Sequence, residues 1–195
     1  MRELNPLIEA YIDERIERYN QTVSPNALMI RALKAMVGIH EEGGDNRGPL
    51  VAAIQDTVGG PDPLAWCMSL QQTAVAYVEK KLSMVCDLAE SEHCLTVLSA
   101  AERHKRNVKV PAPGDLIIWQ HGASTDGHVG CITMVGDYFQ CIEGNTAGHD
   151  QRTGVVSREG DGVYETMRSR NGSQNMKVAG FVRLQFEPRG KSLPN

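Results

Sequence analysis

The spacing of apolar residues changes once along this 195-residue chain, near Pro111 and Pro113-Gly114-Asp115, and that change restricts the fold class more than any other feature. Before it, apolar residues recur at helical spacing. Leu4, Leu7, Ile8, Tyr11, Ile12, Ile16 and Tyr19 predict an amphipathic helix over residues 4–20. Ser24-Pro25-Asn26 opens a second helix running to about residue 40, with Pro25 suited to the first turn. A short helix is expected over 50–58. After the breaker Gly59-Gly60-Pro61-Asp62-Pro63, a long one follows from Trp66-Cys67 to about residue 85. Residues 86–107 read as further helix with a break. Past the change, strands are expected over 116–119, 129–135, 138–142 and 178–186, with a weak one near 162–167. Helices first and strands second is an α+β order: N-terminal helices packed on a C-terminal antiparallel sheet, without βαβ alternation. A soft boundary near residue 23 divides an N-terminal helix, 1–23, from a main domain, 24–190.

Charge and cysteine content exclude several functions. Twenty Lys+Arg against 24 Asp+Glu leave a net charge of -4, so there is no polybasic field for nucleic acid or anionic lipid. Residues 151–195 hold 8 basic and 4 acidic side chains, read as a strand with solvated arginines. Charges are interleaved with apolar residues from Arg2 onward, unlike a secretory signal, and no run approaches the ~20 apolar residues of a membrane span. Synthesis in the cytoplasm without a signal peptide, and no membrane insertion, are therefore expected. The five cysteines are odd in number and contain no Cys-x-x-Cys pair, which argues against a disulfide framework and a structural zinc site and leaves at least one free thiol.

That free thiol has a candidate in Cys67, which follows a Pro/Gly-rich loop near a helix start, where backbone N–H groups favour a thiolate. If Asp62 caps the helix and Pro63 begins it, Cys67 falls in the second turn and gains less. A second constellation comes from hairpin register. With Gly136-Asp137 as a two-residue loop, Val135 pairs with Tyr138, His128 lies across from Asn145, and Gly130 lies across from Glu143. His128, Glu143 and Asn145 then share one face, and Gly130 leaves room for the carboxylate. An imidazole with an orienting partner is what a cysteine nucleophile requires. The same register puts Cys131 and Cys141 on opposite faces. His40, His93, His104, His121 and His149 are read as exposed, with His121 and His149 flanking the hairpin.

Several motifs, in order over about residues 36–185, resemble the CHAP family of cysteine, histidine-dependent amidohydrolases/peptidases. They are Glu42-Gly43-Gly44-Asp45-Asn46-Arg47-Gly48-Pro49, Pro63-Leu64-Ala65-Trp66-Cys67, Pro113-Gly114-Asp115-Leu116-Ile117-Ile118-Trp119, Gly127-His128-Val129-Gly130, Ile142-Glu143-Gly144-Asn145-Thr146 and Val178-Ala179-Gly180-Phe181-Val182-Arg183. The resemblance implies a papain-like α+β fold and hydrolysis of amide bonds in bacterial peptidoglycan, with Cys67 as nucleophile, His128 as base, Glu143 as its orienting group and Asn145 assisting. Asn46 is a candidate second oxyanion donor, and Asn46 and Trp66 are candidate substrate contacts. Pro61-Asp62-Pro63 does not reproduce the Asp-rich loop of calcium-binding members, so no metal and no cofactor are expected. The long interval holding Cys86 and Cys94 is expected to shape substrate access. Action in the periplasm or cell wall then requires release or delivery, through a holin or a secretion or immunity partner. Two rival readings share these residues: a cysteine hydrolase of protein or small amide substrates, and a non-catalytic peptidoglycan-binding component.

Overall fold

A computed structural model describes residues 2–16, 23–59, 64–147, 160–173 and 175–190. The helical half begins with α1 (Pro6–Arg15), where the Asn5 side chain accepts from the Leu7 N–H at 2.9 Å and Pro6 takes the first turn. Helix α2 (Pro25–Met36) starts as expected, with the Ser24 hydroxyl accepting from Ala27 N–H. It ends four residues before the expected stop: Gly38 adopts φ +92°, and His40 forms a bridge with Gly162. Helix α3 (Pro49–Gln55) runs into a 3-10 turn (Asp56–Val58).

Helix α4 (Cys67–Leu82) is buried on every side from Cys67 to Glu79, so it is the axis of the helical layer. Two of its buried amides donate to backbone carbonyls: Gln71 Nε2 to Ile142 at 3.1 Å, and Gln72 Nε2 to Ala89 at 2.8 Å. Ser83, in a left-handed conformation, stops the helix earlier than the spacing suggested. Strand β1 (Met84–Cys86) follows, and α5 (Cys94–Arg103) is the only helix described within 86–107.

The strands are β2 (Leu116–His121), β3 (Gly127–Val135), β4 (Tyr138–Thr146), β5 (Gly162–Ser169), β6 (Met176–Val182) and β7 (Phe186–Pro188). Five form an antiparallel sheet in the order β5-β4-β3-β2-β6, and β1 pairs with β7 separately. The segment expected as one strand over 178–186 is thus split between two sheets, and the weak strand near 162–167 is a full sheet member. The α+β class and the layering agree with the sequence reading. One face of the large sheet packs Leu116, Ile118, Val129, Cys131 and Ile142 against the helices. The other carries a smaller cluster of Ile117, Trp119, Ile132, Phe139, Cys141 and Met176.

The β3–β4 hairpin differs from the expected register near its turn and agrees beyond it. Val135 pairs with Phe139, not Tyr138, so the loop is one residue longer. Thr133 is then an extra residue on β3, and its hydroxyl donates to the Gln140 carbonyl. The two offsets cancel, and Ile132↔Cys141 and Cys131↔Ile142 restore the expected pairing. Cys131 and Cys141 face opposite sides, and all five cysteines are free.

Helix α1 packs on α2 and α3, and Leu4, Ile8 and Ile12 lie in the main core. Ahead of it, the buried Arg2 guanidinium pairs with Glu79 at 3.1 Å and hydrogen-bonds Gln72 and the Leu88 carbonyl. Residues 17–20 of the expected first helix lie outside the described residues, among which no helix is long and apolar enough to cross a membrane. Arg2→Ala removes one side of a buried ion pair and is expected to cost about 3–5 kcal/mol in urea unfolding. A loss of under ~1 kcal/mol, typical of an exposed pair, would contradict this account of the N-terminal anchor.

Candidate active site

The site forms where β3 begins, β4 finishes and α4 starts. Cys67 is the first residue of α4, with Trp66 as its N-cap and no side-chain cap bond. The helix thus opens at Trp66-Cys67, as the spacing predicts. Asp62 and Pro63 lie outside the described residues, and the thiol sits in the first turn, where backbone N–H groups are unpaired within the helix. Close approach of α4 to β4 depends on Gly144: a Cβ there would lie 2.8 Å from Trp66 Cζ3 and 2.9 Å from Leu70 Cδ2.

His128 lies on the sheet face away from the helices, paired with Trp119 in register and stacked on its ring, centroids 5.8 Å apart. Its Nε2–H donates to Glu143 Oε2 at 2.8 Å, which leaves Nδ1 for the thiol proton. Gly130 is what admits the carboxylate, since a Cβ there would lie 2.8 Å from Glu143 Cγ.

Glu143 is fully buried and its acceptor sites are saturated. Arg168 Nε donates to Oε1 at 2.8 Å, Arg168 Nη2 also binds Oε2, and the Thr166 hydroxyl donates to Oε1. The register Cys141↔Thr166 and Phe139↔Arg168 places both donors on the same face as Glu143. Arg168 itself is buried and lies 5.1 Å over the Trp119 ring. The solvated-arginine reading of the C-terminal strands is therefore wrong for Arg168. Burial of Glu143 opposes ionisation, but the charge and hydrogen bonds of Arg168, with those of His128, hold the carboxyl well below its usual range.

These surroundings set the charge state of the thiol and imidazole. The hydrogen bond from Cys94 acts most strongly on Cys67; burial opposes ionisation, and His128 and the Met68 N–H favour it. The net effect holds the thiol well below its ordinary value. Burial disfavours the His128 cation, yet Cys67 and Glu143 outweigh it and raise the imidazole to about 9. Both shifts favour a thiolate–imidazolium pair.

Asn145 departs from the simple register. It lies within a bulge between β4 and β5, at φ +51°, a conformation Asn tolerates better than most residues. Its side-chain nitrogen donates to Asn46 Oδ1 at 2.5 Å and to Glu41 Oε1 at 3.4 Å. Asn145 lines the same cleft as Cys67 and His128, whereas Asn46 braces it from outside that lining. Trp66 is completely buried and donates from Nε1 to Glu41 at 2.9 Å, which removes it as a substrate contact.

The cleft has a volume of about 250 Å³ and is walled in part by Leu64, Glu92, His93, His121 and Asp126. His121 thus lines the cleft, as does the exposed His93; His149 lies outside the described residues. A larger hollow of about 880 Å³ around Asn5, Asp56 and Lys80 contains no nucleophilic thiol. Among the described residues, no group of three or more His, Cys, Asp or Glu is arranged to hold a metal ion.

Arg168, Thr166, Cys94 and Glu41 were not legible as site residues. Alternation of Tyr164, Thr166 and Arg168 along one strand carries a signal for Thr166 and Arg168, but only once that strand is laid beside β4.

Residues 60–145 match the family model of the CHAP domain, a span that includes Cys67, His128, Glu143 and Asn145 and stops short of Arg168. No curated protein and no solved structure matches the chain.

Arg168→Ala leaves the Glu143 carboxylate buried without its cation and is expected to cost about 3–5 kcal/mol at pH 7. In wild type the depressed Glu143 pKa supplies stability above its unfolded value of 4.5, lost as pH falls. In the variant, burial raises that pKa, so acid neutralises the unpaired charge. Urea unfolding should therefore show the gap between the two proteins narrowing from pH 7 to pH 4. An equal gap at both pH values contradicts the pairing.

Proposed function

We infer that this chain, which carries a CHAP domain and so belongs to the CHAP family of amidase- and peptidase-type hydrolases, is a cysteine-dependent peptidoglycan hydrolase. The observation that carries the cysteine mechanism is the juxtaposition of Cys67, His128 and a Glu143 held ionised by Arg168. The substrate class rests on the family's common use of peptidoglycan. The bond attacked is a stem-peptide or cross-link amide, or the N-acetylmuramoyl-L-alanine amide.

In this reading the Cys67 thiolate attacks the scissile carbonyl carbon. The Cys67 backbone N–H, at the uncapped start of α4, faces the oxyanion that develops. His128 Nδ1–H protonates the departing amine, leaving a thioester on Cys67. The neutral imidazole then takes a proton from water, which attacks the thioester and releases the carboxylic acid. Glu143 fixes the ring through Nε2–H and stabilises its cationic form throughout. Asn145 is a positioning residue in the cleft wall, bonded to Asn46 and tied through Glu41 to the N-cap Trp66.

Purified peptidoglycan incubated with the protein should lose turbidity and release soluble muropeptides, whose masses identify the bond cut. Cys67→Ala should reduce this by about 10⁴-fold or more, and His128→Ala by about 10²–10⁴-fold. Equal release by wild type and Cys67→Ala would remove the thiol from the reaction.

The two charged partners also set a pH profile. Activity needs Cys67 deprotonated and His128 protonated, so it should persist well below the ordinary thiol range and fall as pH rises through about 9. A profile that only begins to rise near pH 9 contradicts a preformed ion pair.

A further inference from the structure

Hydrolysis uses one thiol, yet the cleft holds two. Cys94 is the first residue of α5, and its sulfur lies 3.7 Å from that of Cys67. Both residues are buried, and both line the cleft that opens to solvent beside His128. The approach depends on Gly127, where a Cβ would lie 2.9 Å from Cys94 Cβ and 3.0 Å from the Trp119 carbonyl. The other three cysteines are distributed elsewhere: Cys86 on β1, Cys131 on the helix-facing side of the sheet and Cys141 on its opposite side.

From this placement we propose that Cys94 is a resolving cysteine, and that the Cys67–Cys94 pair is an oxidative modification site at which a peroxide reversibly converts the nucleophile into an intramolecular disulfide. The chemistry has two steps. The Cys67 thiolate attacks one peroxide oxygen: an S–O bond forms, the O–O bond breaks, and hydroxide leaves and takes up a proton. Sulfur is oxidised by two electrons to the sulfenic acid, and the peroxide is reduced to water. Cys94 sulfur then attacks the Cys67 sulfur, its proton passing to the departing hydroxyl. An S–S bond forms, the S–O bond breaks and water leaves. Two electrons from an external dithiol restore both thiols.

The distance to be closed is modest, from 3.7 Å to an S–S length of ~2.05 Å. Reactivity is divided correctly between the two groups. Cys67, held as a thiolate, is the first to be oxidised, whereas Cys94 stays protonated until the sulfenic acid forms beside it. Burial pushes Cys86 and Cys131 up to about 12, so they serve as unreactive internal references. The disulfide blocks hydrolysis while it lasts and keeps Cys67 from irreversible sulfinic acid.

The full chain is treated with a small excess of hydrogen peroxide, its free thiols are alkylated, and its peptides are mapped by mass without reduction. A Cys67–Cys94 linked peptide, two hydrogen masses lighter than its parts, is the expected product. A dithiol should return Cys67 to the alkylatable form. In Cys94→Ser the same treatment should drive Cys67 to sulfinic acid that the dithiol does not rescue. Absence of the linked peptide in wild type overturns the proposal, whether Cys67 is then unmodified or sulfinic. Should Cys94→Ser fail to fold, the wild-type map decides alone. The readout is a mass and not turnover, so it stands apart from the peptidoglycan assay: a chain that fails to lyse cell wall can still form the link, and the reverse.

Discussion

The buried ion pair of Arg168 and Glu143 is the interaction on which the site depends. A carboxylate with no solvent exposure protonates unless its charge is answered, and a protonated Glu143 has little to offer the His128 cation. The guanidinium from β5, with the Thr166 hydroxyl, keeps it ionised. Glu143 in turn supports the imidazolium, and the imidazolium supports the Cys67 thiolate. Three strands and one helix thus share a chain of charge that no single element holds, and Trp119 packs against two of its members, His128 and Arg168.

Much of this was legible in the sequence because strand alternation is local. His128 and Glu143 were placed on one face by counting across a hairpin, and the count holds at Cys131↔Ile142 although it fails at the turn. A longer loop and the Thr133 bulge offset each other, which short-range propensity does not reveal. Asn145 shows the opposite case: a second bulge and a left-handed backbone carry it out of regular pairing, and its amide turns to Asn46 and Glu41.

Arg168 and Cys94 stayed hidden for a different reason, since their roles follow from sheet order and helix docking. The strand carrying Arg168 pairs with β4 after an excursion of more than a dozen residues, and nothing local says which edge it joins. Cys94 meets Cys67 because two helices start at the same cleft, an arrangement fixed by the packing of α5 on β2, β3 and β6. The start of α4 is by contrast local: it opens at Trp66-Cys67 as the spacing predicts, with Trp66 buried and bonded to Glu41.

The most direct test of this charge chain is a spectroscopic titration of the Cys67 thiolate, taken as the ultraviolet absorbance difference between wild type and Cys67→Ser across pH. A thiolate step well below the ordinary thiol pKa of ~8.5, already complete at neutral pH, is the expected result. A step at or above that ordinary value would mean that Cys67 is a neutral thiol, and that the Arg168–Glu143–His128 arrangement does not activate it.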